Sequence, residues 1–120
     1  METRLPILFS EGVVKGRISL PHFARITATN HARLYGLTSK GAIRVGADAD
    51  IALWDPTARR SIRQADLHHG ADYTPWEGFE VTGWPVATFL RGQPVMRDGQ
   101  LTGPAPAGQT LARSLPETLL

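Results

Sequence analysis

The stretch 72–99 constrains the fold most, because short apolar runs alternate in it with pairs of residues that contain glycine. The run Val86 to Leu90 ends at the pair Arg91-Gly92, and the run that follows ends at the pair Asp98-Gly99. Such pairs support two-residue β-hairpin turns, since glycine adopts the positive φ angles that these turns require. The spacing therefore predicts consecutive antiparallel strands. No residue of the stretch has the pattern of a nucleophile or a metal cage.

Upstream of these strands, the pattern of apolar residues predicts three short helices. We expect them within residues 1–18, over Leu20 to Ala28 and over His31 to Tyr35. Thr3, Ser19 and Asn30 are the expected N-caps, and Gly36 is the expected C-terminal cap. Helices this short are marginal in water by themselves, so their apolar faces must pack on something.

From Lys40 onward the residue pattern changes, and it predicts further short strands. The expected strands are Gly41 to Gly46, Ile51 to Asp55 (ended by Pro56), Ser61 to Arg63, and Phe79 to Thr82 (separated from Val86 to Leu90 by Gly83-Trp84-Pro85). Residues 64–78 form a loop that is long for a compact domain. Loops of this length are usually functional, tied down by partners, or flexible.

The composition is that of one ordinary globular domain, with 120 residues and 42% hydrophobic content. The 12 glycines and 9 prolines favour a turn-rich β architecture. The chain has no cysteine, which excludes disulfides and thiolate zinc sites and fits the cytoplasm. The net charge of +2 comes with scattered basic residues, so nucleic acid is not an expected partner. No long apolar span predicts a membrane segment. The scattered basic residues that argue against a nucleic-acid partner include, in the first half, Arg4, Lys15, Arg17, Arg25, Arg33, Lys40 and Arg44.

Acidic and histidine residues supply two candidate metal sites. Asp48 and Asp50 could form a metal pair, although acids in a turn flanked by glycine more often bond nearby amides. His68, His69 and Asp72 form the one concentrated group of this kind, but adjacent histidines on an extended segment point to opposite faces. His22 and His31 stand apart, without the i, i+4 spacing of a helical zinc site.

Candidate nucleophiles and a candidate ligand platform are weaker. Ser10-Glu11 and Ser19 with His22 lack the strand–serine–helix context of a nucleophile elbow. The tryptophans could form a ligand platform, but core or interface packing is the commoner role of large aromatic residues in a small β domain. They are Trp54, Trp76 and Trp84. From its residues alone, the chain is a β domain preceded by helices.

The order of three segments resembles a known family. The segments are SEGVVKGRISLPHFARITATNHARLYGL, KGAIRVGADADIALWDP and HHGADYTPWEGFEVTGWPVATFLRGQPVMRDGQLTG. Together they resemble the C-terminal part of dihydropyrimidinases and D-hydantoinases, cyclic amidases of the amidohydrolase superfamily, from about Glu2 to Arg113. The second segment is typical of many amidohydrolases, whereas DYTPWEGFEVTGWPV is characteristic of the hydantoinase and dihydropyrimidinase branch.

The resemblance implies an α+β fragment of a larger enzyme. Residues 1–38 would correspond to outer helices of a TIM barrel, and residues 39–102 to antiparallel strands of a partial β-sandwich. Residues 103–120 would be a tail that is either involved in oligomerisation or disordered. His31 stands where the family commonly has proline, and Pro106 and Thr110 replace a usual glycine and aromatic residue, which puts docking of the tail in doubt.

The resemblance also implies where the chemistry lies. Family members hold two zinc-type ions with an HxH pair, a carboxylated lysine, two further histidines and an aspartate, and a metal-bound hydroxide attacks the ring amide. Those ligands lie upstream of the matched region, and neither Lys15 nor Lys40 matches the lysine position. We therefore expect no catalytic, metal-binding or substrate-binding residue in this chain, and no cofactor held by it.

Three hypotheses about function follow. The first is a structural C-terminal portion of a hydantoinase-like enzyme that is not catalytic alone. The second is a subunit of a split amidohydrolase, completed by a separate barrel-bearing chain. The third is a free-standing β domain for assembly or binding. The expected partners are a second copy of the chain or a barrel-bearing amidohydrolase chain, in the cytoplasm, without nucleic acid or membrane.

Overall fold

The computed structural model describes residues 2–102 and 108–115. Two helical runs come first. The first consists of α1, Arg4–Leu8, and a π-helical stretch, Phe9–Val14; the second consists of α2, Leu20–Ala24, a π-helical stretch, Arg25–Thr29, and α3, Asn30–Leu34. No helix of the described residues has the length and apolar character needed to cross a membrane. The prediction for the tail falls partly outside the described residues.

Four strands follow and form one sheet in the order β1-β2-β3-β4. They are β1, Ile51–Ser61, β2, Glu80–Leu90, β3, Gln93–Arg97, and β4, Gln100–Leu101. The pairs β2–β3 and β3–β4 are antiparallel, with an irregularity in the first pair between Thr88 and Phe89. A 3₁₀ turn, Gln64–Asp66, lies between β1 and β2. The predicted fold class, short helices followed by antiparallel strands, is confirmed.

Both predicted hairpin turns are present. Arg91 and Gly92 have φ angles of 47° and 79°, and Asp98 and Gly99 have φ angles of 50° and 79°. Two consecutive positive φ angles define the type I′ turn, whose twist matches that of the flanking strands. The two pairs thus set the short connections from β2 to β3 and from β3 to β4.

The helix ends agree only in part with the predicted caps. The Ser19 hydroxyl accepts a hydrogen bond from the His22 amide at 3.3 Å, as predicted. Thr3 has helical backbone angles and makes no capping bond through its side chain, so that prediction was wrong. Asn30 was also wrongly predicted as a cap, because the helical run continues through a π-helical stretch that ends at Thr29.

The predicted C-terminal cap at Gly36 is confirmed in detail. Gly36 has a φ of 64°, and its amide donates to the carbonyl of Arg33 at 3.1 Å. The Leu37 amide donates to the carbonyl of Ala32 at 2.8 Å. This pair of bonds is the Schellman arrangement, which satisfies the last carbonyls of a helix through a residue in the left-handed conformation.

Two strand predictions were wrong. Residues 41–46 form turns and bends; there the Gly41 carbonyl accepts the Thr29 hydroxyl at 2.8 Å instead of a partner strand. Pro56 does not end β1, because the Asp55 carboxylate accepts the amides of Thr57 at 2.8 Å and Ala58 at 3.2 Å. A side-chain acceptor thus satisfies the backbone where the proline interrupts regular pairing.

Two other predicted divisions of the strands also differ. One strand, β2, contains most of the two stretches Phe79 to Thr82 and Val86 to Leu90. Gly83 lies between them with a φ of 94° and does not interrupt the strand. Ser61 ends β1, and Ile62 continues the pairing outside a regular strand. The Ile62 amide donates to the Phe79 carbonyl at 2.9 Å, and the Gly78 amide donates to the Ile62 carbonyl at 2.8 Å.

The described chain divides into two compact units. In the first, residues up to Phe23 with Trp54–Pro85, the buried core consists of Ile62, Val81 and Trp84. Partly buried apolar side chains pack against this core: Ile7, Ala58, Leu67 and Phe79. The second unit comprises Ala24–Leu53 and the described residues from Val86 onward, and its buried apolar residues are Ala32 and Ala87.

Candidate functional site

The two acids that could have formed a metal pair bind a lysine. Lys40 Nζ lies 2.8 Å from Asp48 Oδ2 and also pairs with Asp50 Oδ2. Asp48 accepts a further bond from the Ser39 hydroxyl at 2.9 Å, and Asp50 Oδ1 accepts the Arg91 amide at 2.8 Å. Lys40, Asp48 and Asp50 are called the Lys40 cluster below. It connects the loop before β1 to the turn after β2.

The electrostatics of the Lys40 cluster keep all three groups charged. Hydrogen bonds to Asp48 and then Asp50 raise the pKa of Lys40 above its ordinary 10.5. Hydrogen bonds from Lys40 and then Ser39 lower the pKa of Asp48 below 3.8. Partial burial opposes ionisation of Asp50, but the bonds from Lys40 and the Arg91 amide outweigh it, so this pKa is lowered too. The single cation of Lys40 is shared by the two carboxylates, which also accept bonds from the Ser39 hydroxyl and the Arg91 amide.

The histidines and Asp72 do not form one group of ligands. His68 Nδ1 lies 3.2 Å from Glu2 Oε1, and the His68 amide donates to Glu2 Oε2 at 3.0 Å. His69 Nδ1 accepts the amide of Ala71 at 3.2 Å. Within residues 2–102 and 108–115, no three or more His, Cys, Asp or Glu side chains are gathered so that they could hold a metal ion. These donors therefore do not fit the two-metal centre that the family implies.

His31 and the two candidate serines have structural partners. His31 stacks on Tyr35 with ring centroids 6.5 Å apart, and the Ser19 hydroxyl caps α2 next to His22. Ser10 is buried, and its hydroxyl accepts the amide of Thr82 at 3.0 Å. A buried hydroxyl that serves a strand amide supports the fold and does not point into an open site.

The three tryptophans occupy three different environments. Trp54 stacks on Phe9 at 5.0 Å and meets Phe23 edge-on at 5.9 Å. Trp84 lies in the core with the Arg60 guanidinium 5.1 Å from its ring centroid, a cation–π contact. Trp76 meets Phe79 edge-on at 5.7 Å and stays 41% exposed. The expected packing role holds for Trp54 and Trp84.

Sequence reasoning did not find a groove in the first unit, with a volume of about 610 Å³. Its walls are the first helical run and the loop after β1. It is lined by Thr3, Arg4, Ile7, Leu8, Glu11, Leu67, His69, Ala71, Tyr73, Thr74, Pro75 and Trp76. The aromatic residues of the long loop were the signal in the sequence, but nothing in the sequence shows that they face α1.

A second cleft, of about 770 Å³, lies within the second unit. Arg33, Lys40 and Arg44 contribute to its lining, together with the described end of the tail. Lys40 is held by its two aspartates, and Arg44 Nη2 donates to the Thr38 carbonyl at 2.5 Å. Ser114 donates to the Gly36 carbonyl through its amide at 3.0 Å and its hydroxyl at 3.3 Å.

The chain is similar to known amidohydrolases. The profile of the amidohydrolase family matches residues 2–95. D-hydantoinase from Geobacillus stearothermophilus is 49% identical over 115 residues, which are 95% of this chain and 24% of that protein. D-phenylhydantoinase from Escherichia coli O1:K1 is 44% identical over 114 residues, 94% of this chain and 25% of that protein. The chain thus spans about a quarter of the length of these relatives.

Solved structures show the same relation. A crystal structure of D-hydantoinase superposes with a TM-score of 0.88 at 47% identity, covering 92% of this chain and 24% of that one. D-hydantoinase (dihydropyrimidinase) from Thermus sp. superposes with a TM-score of 0.89 at 39% identity, covering 93% and 25%. The sequence profile covers most of the chain, and the fold matches over nearly all of it. The chain therefore belongs to the amidohydrolase family, on its hydantoinase and dihydropyrimidinase branch.

Proposed function

We propose that this chain is the C-terminal structural portion of a hydantoinase- or dihydropyrimidinase-like, metal-dependent amidohydrolase. The complete enzyme would hydrolyse a C–N bond of a cyclic amide. The observation that carries the proposal is the contrast in coverage: relatives match nearly all of this chain, and this chain matches about a quarter of them. The two divalent ions of such an enzyme would belong to its remaining part.

The contacts of the candidate residues support a role without catalysis. Asp48 and Asp50 bind Lys40, and the Ser10 hydroxyl binds a strand amide. Each of these groups stabilises backbone geometry, and each would have to leave its partner in order to act on a substrate. The chain by itself would therefore support a larger enzyme and would not perform its reaction.

Hydrolysis by the purified chain tests this proposal. Hydantoin and dihydrouracil would be incubated with the chain, with and without added zinc or manganese, and ring opening would be measured by chromatography. We expect no turnover above the buffer rate, whereas a full-length D-hydantoinase under the same conditions should open the ring of its substrate. Metal-dependent turnover by the chain alone would overturn the proposal.

A split enzyme is the second candidate, favoured by the exposed apolar side chains of the chain. Tyr73 is 69% exposed and Ile43 is 88% exposed. Apolar surface of this kind marks either contact with another polypeptide or a tendency to associate. Co-expression with a barrel-bearing amidohydrolase chain should then yield a co-purifying, active complex. Absence of a complex would count against this candidate.

A free-standing β domain for assembly or binding is the third candidate, and it predicts different solution behaviour. Such a domain would be monodisperse in size-exclusion chromatography and would melt cooperatively in isolation. We expect self-association instead, because exposed apolar helix faces and open strand edges favour it. A cooperative, monomeric chain would favour the free-standing domain. The absence of cysteine agrees with a cytoplasmic location for any of the three.

A further inference from the structure

The loop between β1 and β2 is held by hydrogen bonds of its own backbone and side chains. The Gln64 amide donates to Glu77 Oε2 at 2.7 Å, and Gln64 Nε2 donates to the Ala71 carbonyl at 2.9 Å. The Gly78 amide closes the loop on the Ile62 carbonyl at 2.8 Å. These bonds hold the loop within the first unit through its own residues.

The ordered loop nevertheless presents large aromatic side chains to solvent. Tyr73 is 69% exposed and Trp76 is 41% exposed. The groove beneath them has an apolar floor, since Ile7 and Leu67 line it and also pack against the core. Exposed aromatics on a rigid backbone lose little conformational entropy on binding, so they suit a contact surface.

The charges around the groove select an apolar partner. Arg4 and Glu11 contribute opposite charges to the lining, and Glu11 is already paired with Lys15 at 2.7 Å. A surface that recognises nucleic acid or an anionic membrane would carry a cluster of one sign. An apolar centre with aromatic residues and a mixed polar rim is instead typical of a protein–protein contact.

We infer that this groove is the docking surface for the part of a hydantoinase polypeptide that this chain does not match. The inference rests on the proposed function and adds to it the specific face that is covered. The length of the relatives identifies the occupant, because about three quarters of the relative lies outside the stretch that this chain matches. It would insert apolar side chains between the first helical run and the loop that carries Tyr73 and Trp76.

A chimera tests the inference on a complete chain. In D-hydantoinase from Geobacillus stearothermophilus, the matching 115-residue stretch would be replaced by the corresponding part of this chain. Hydrogen exchange at residues 3–11 and 67–76 would be compared between the chimera and the isolated chain over a series of protein concentrations. We expect exchange in the chimera to slow by about tenfold or more, which corresponds to about 1.4 kcal/mol of local stability.

Substitutions distinguish the groove from other surfaces. Tyr73→Ser and Trp76→Ser should reduce the protection of both segments in the chimera and lower its melting temperature more than they lower that of the isolated chain. Leu20→Ser is the matched control, since Leu20 is 57% exposed in the same unit and does not line the groove. It should leave the protection unchanged. Tyr73 is the more exposed of the two aromatics, so its substitution is compatible with folding.

The other outcomes separate the inference from the proposed function. A folded, hydantoin-hydrolysing chimera without protection of the groove would overturn the inference and leave the proposed function standing. Protection that appears in the isolated chain only at high concentration, with the chimera insensitive to Tyr73→Ser, would assign the groove to a second copy and also overturn it. A chimera that does not fold, beside a parent enzyme that does, would overturn both.

Discussion

Substitution of Gly83 by alanine offers a quantitative test of how the first unit is packed. Gly83 lies within β2 with a φ of 94°. A Cβ atom at this position would lie 2.3 Å from Phe9 Cδ1 and 2.4 Å from Phe9 Cε1. Phe9 cannot easily move, because it is 5% exposed, stacks on Trp54 and meets Phe23 edge-on at 5.4 Å.

Two independent penalties apply to Gly83→Ala. A left-handed backbone costs a residue with a Cβ about 1–2 kcal/mol. Forcing an extra carbon into a packed core costs about 1–3 kcal/mol more. We therefore expect the free energy of unfolding to fall by about 2–5 kcal/mol in total. Gly99→Ala should show the backbone penalty alone, since Gly99 has a φ of 79° and no atom lies within 4 Å of the added Cβ.

Urea unfolding followed by tryptophan fluorescence measures both variants, at one protein concentration so that self-association does not differ between them. Phe9→Leu in the Gly83→Ala background should recover part of the loss, because the smaller side chain makes room for the methyl group. Equal destabilisation by Gly83→Ala and Gly99→Ala would refute the packing of Phe9 against β2. So would strict additivity of Phe9→Leu and Gly83→Ala.

Three further predictions concern the Lys40 cluster, the Ser10 hydroxyl and a hairpin turn. In the Lys40 cluster the aspartate pKa values lie below 3.8 and the lysine pKa lies above 10.5. The stabilisation that these ion pairs contribute is therefore fully present between pH 3.8 and pH 10.5. It is lost as the pH falls through the lowered aspartate pKa values or rises through the raised lysine pKa. Lys40→Met should weaken the dependence of the melting temperature on pH at both extremes, whereas Lys15→Met, at an exposed lysine, should leave that dependence unchanged. Ser10→Ala leaves the partly buried Thr82 amide without its acceptor and should lower the free energy of unfolding in urea by about 1–3 kcal/mol, against little change if that amide finds water. Asp98→Asn places a residue that tolerates positive φ better at a type I′ turn and should raise this free energy by up to about 1 kcal/mol; a decrease would contradict the turn assignment.

Local signals predicted the parts of the fold that depend on few residues. The turns at Arg91-Gly92 and Asp98-Gly99 and the cap at Gly36 each follow from a glycine at a position that needs a positive φ. Ser19 likewise caps α2 through a bond within one turn of helix. Such features need no information about distant parts of the chain, so a single sequence suffices to predict them.

Features in which a side-chain bond replaces backbone pairing could not be predicted in this way. Pro56 normally breaks a strand, but the Asp55 carboxylate satisfies the adjacent amides and β1 continues. Residues 41–46 have the alternation of a strand, yet the Gly41 carbonyl bonds to the Thr29 hydroxyl of the helical run. In both places a side-chain bond replaced the backbone pairing that the local pattern favours, and sequence periodicity carries no record of such bonds.

The Lys40 cluster shows why a segment that is typical of amidohydrolases need not contain their chemistry. Two aspartates in a turn resemble a metal pair, but their counter-ion, Lys40, precedes them in the same segment and binds both. Because each carboxylate also accepts a second bond, from the Ser39 hydroxyl or the Arg91 amide, the geometry of the segment depends on all of these groups together. A sequence that must preserve such a set of contacts is distinctive for structural reasons alone. Under the proposed function, the segment identifies the family and the reacting groups belong to another part of the enzyme.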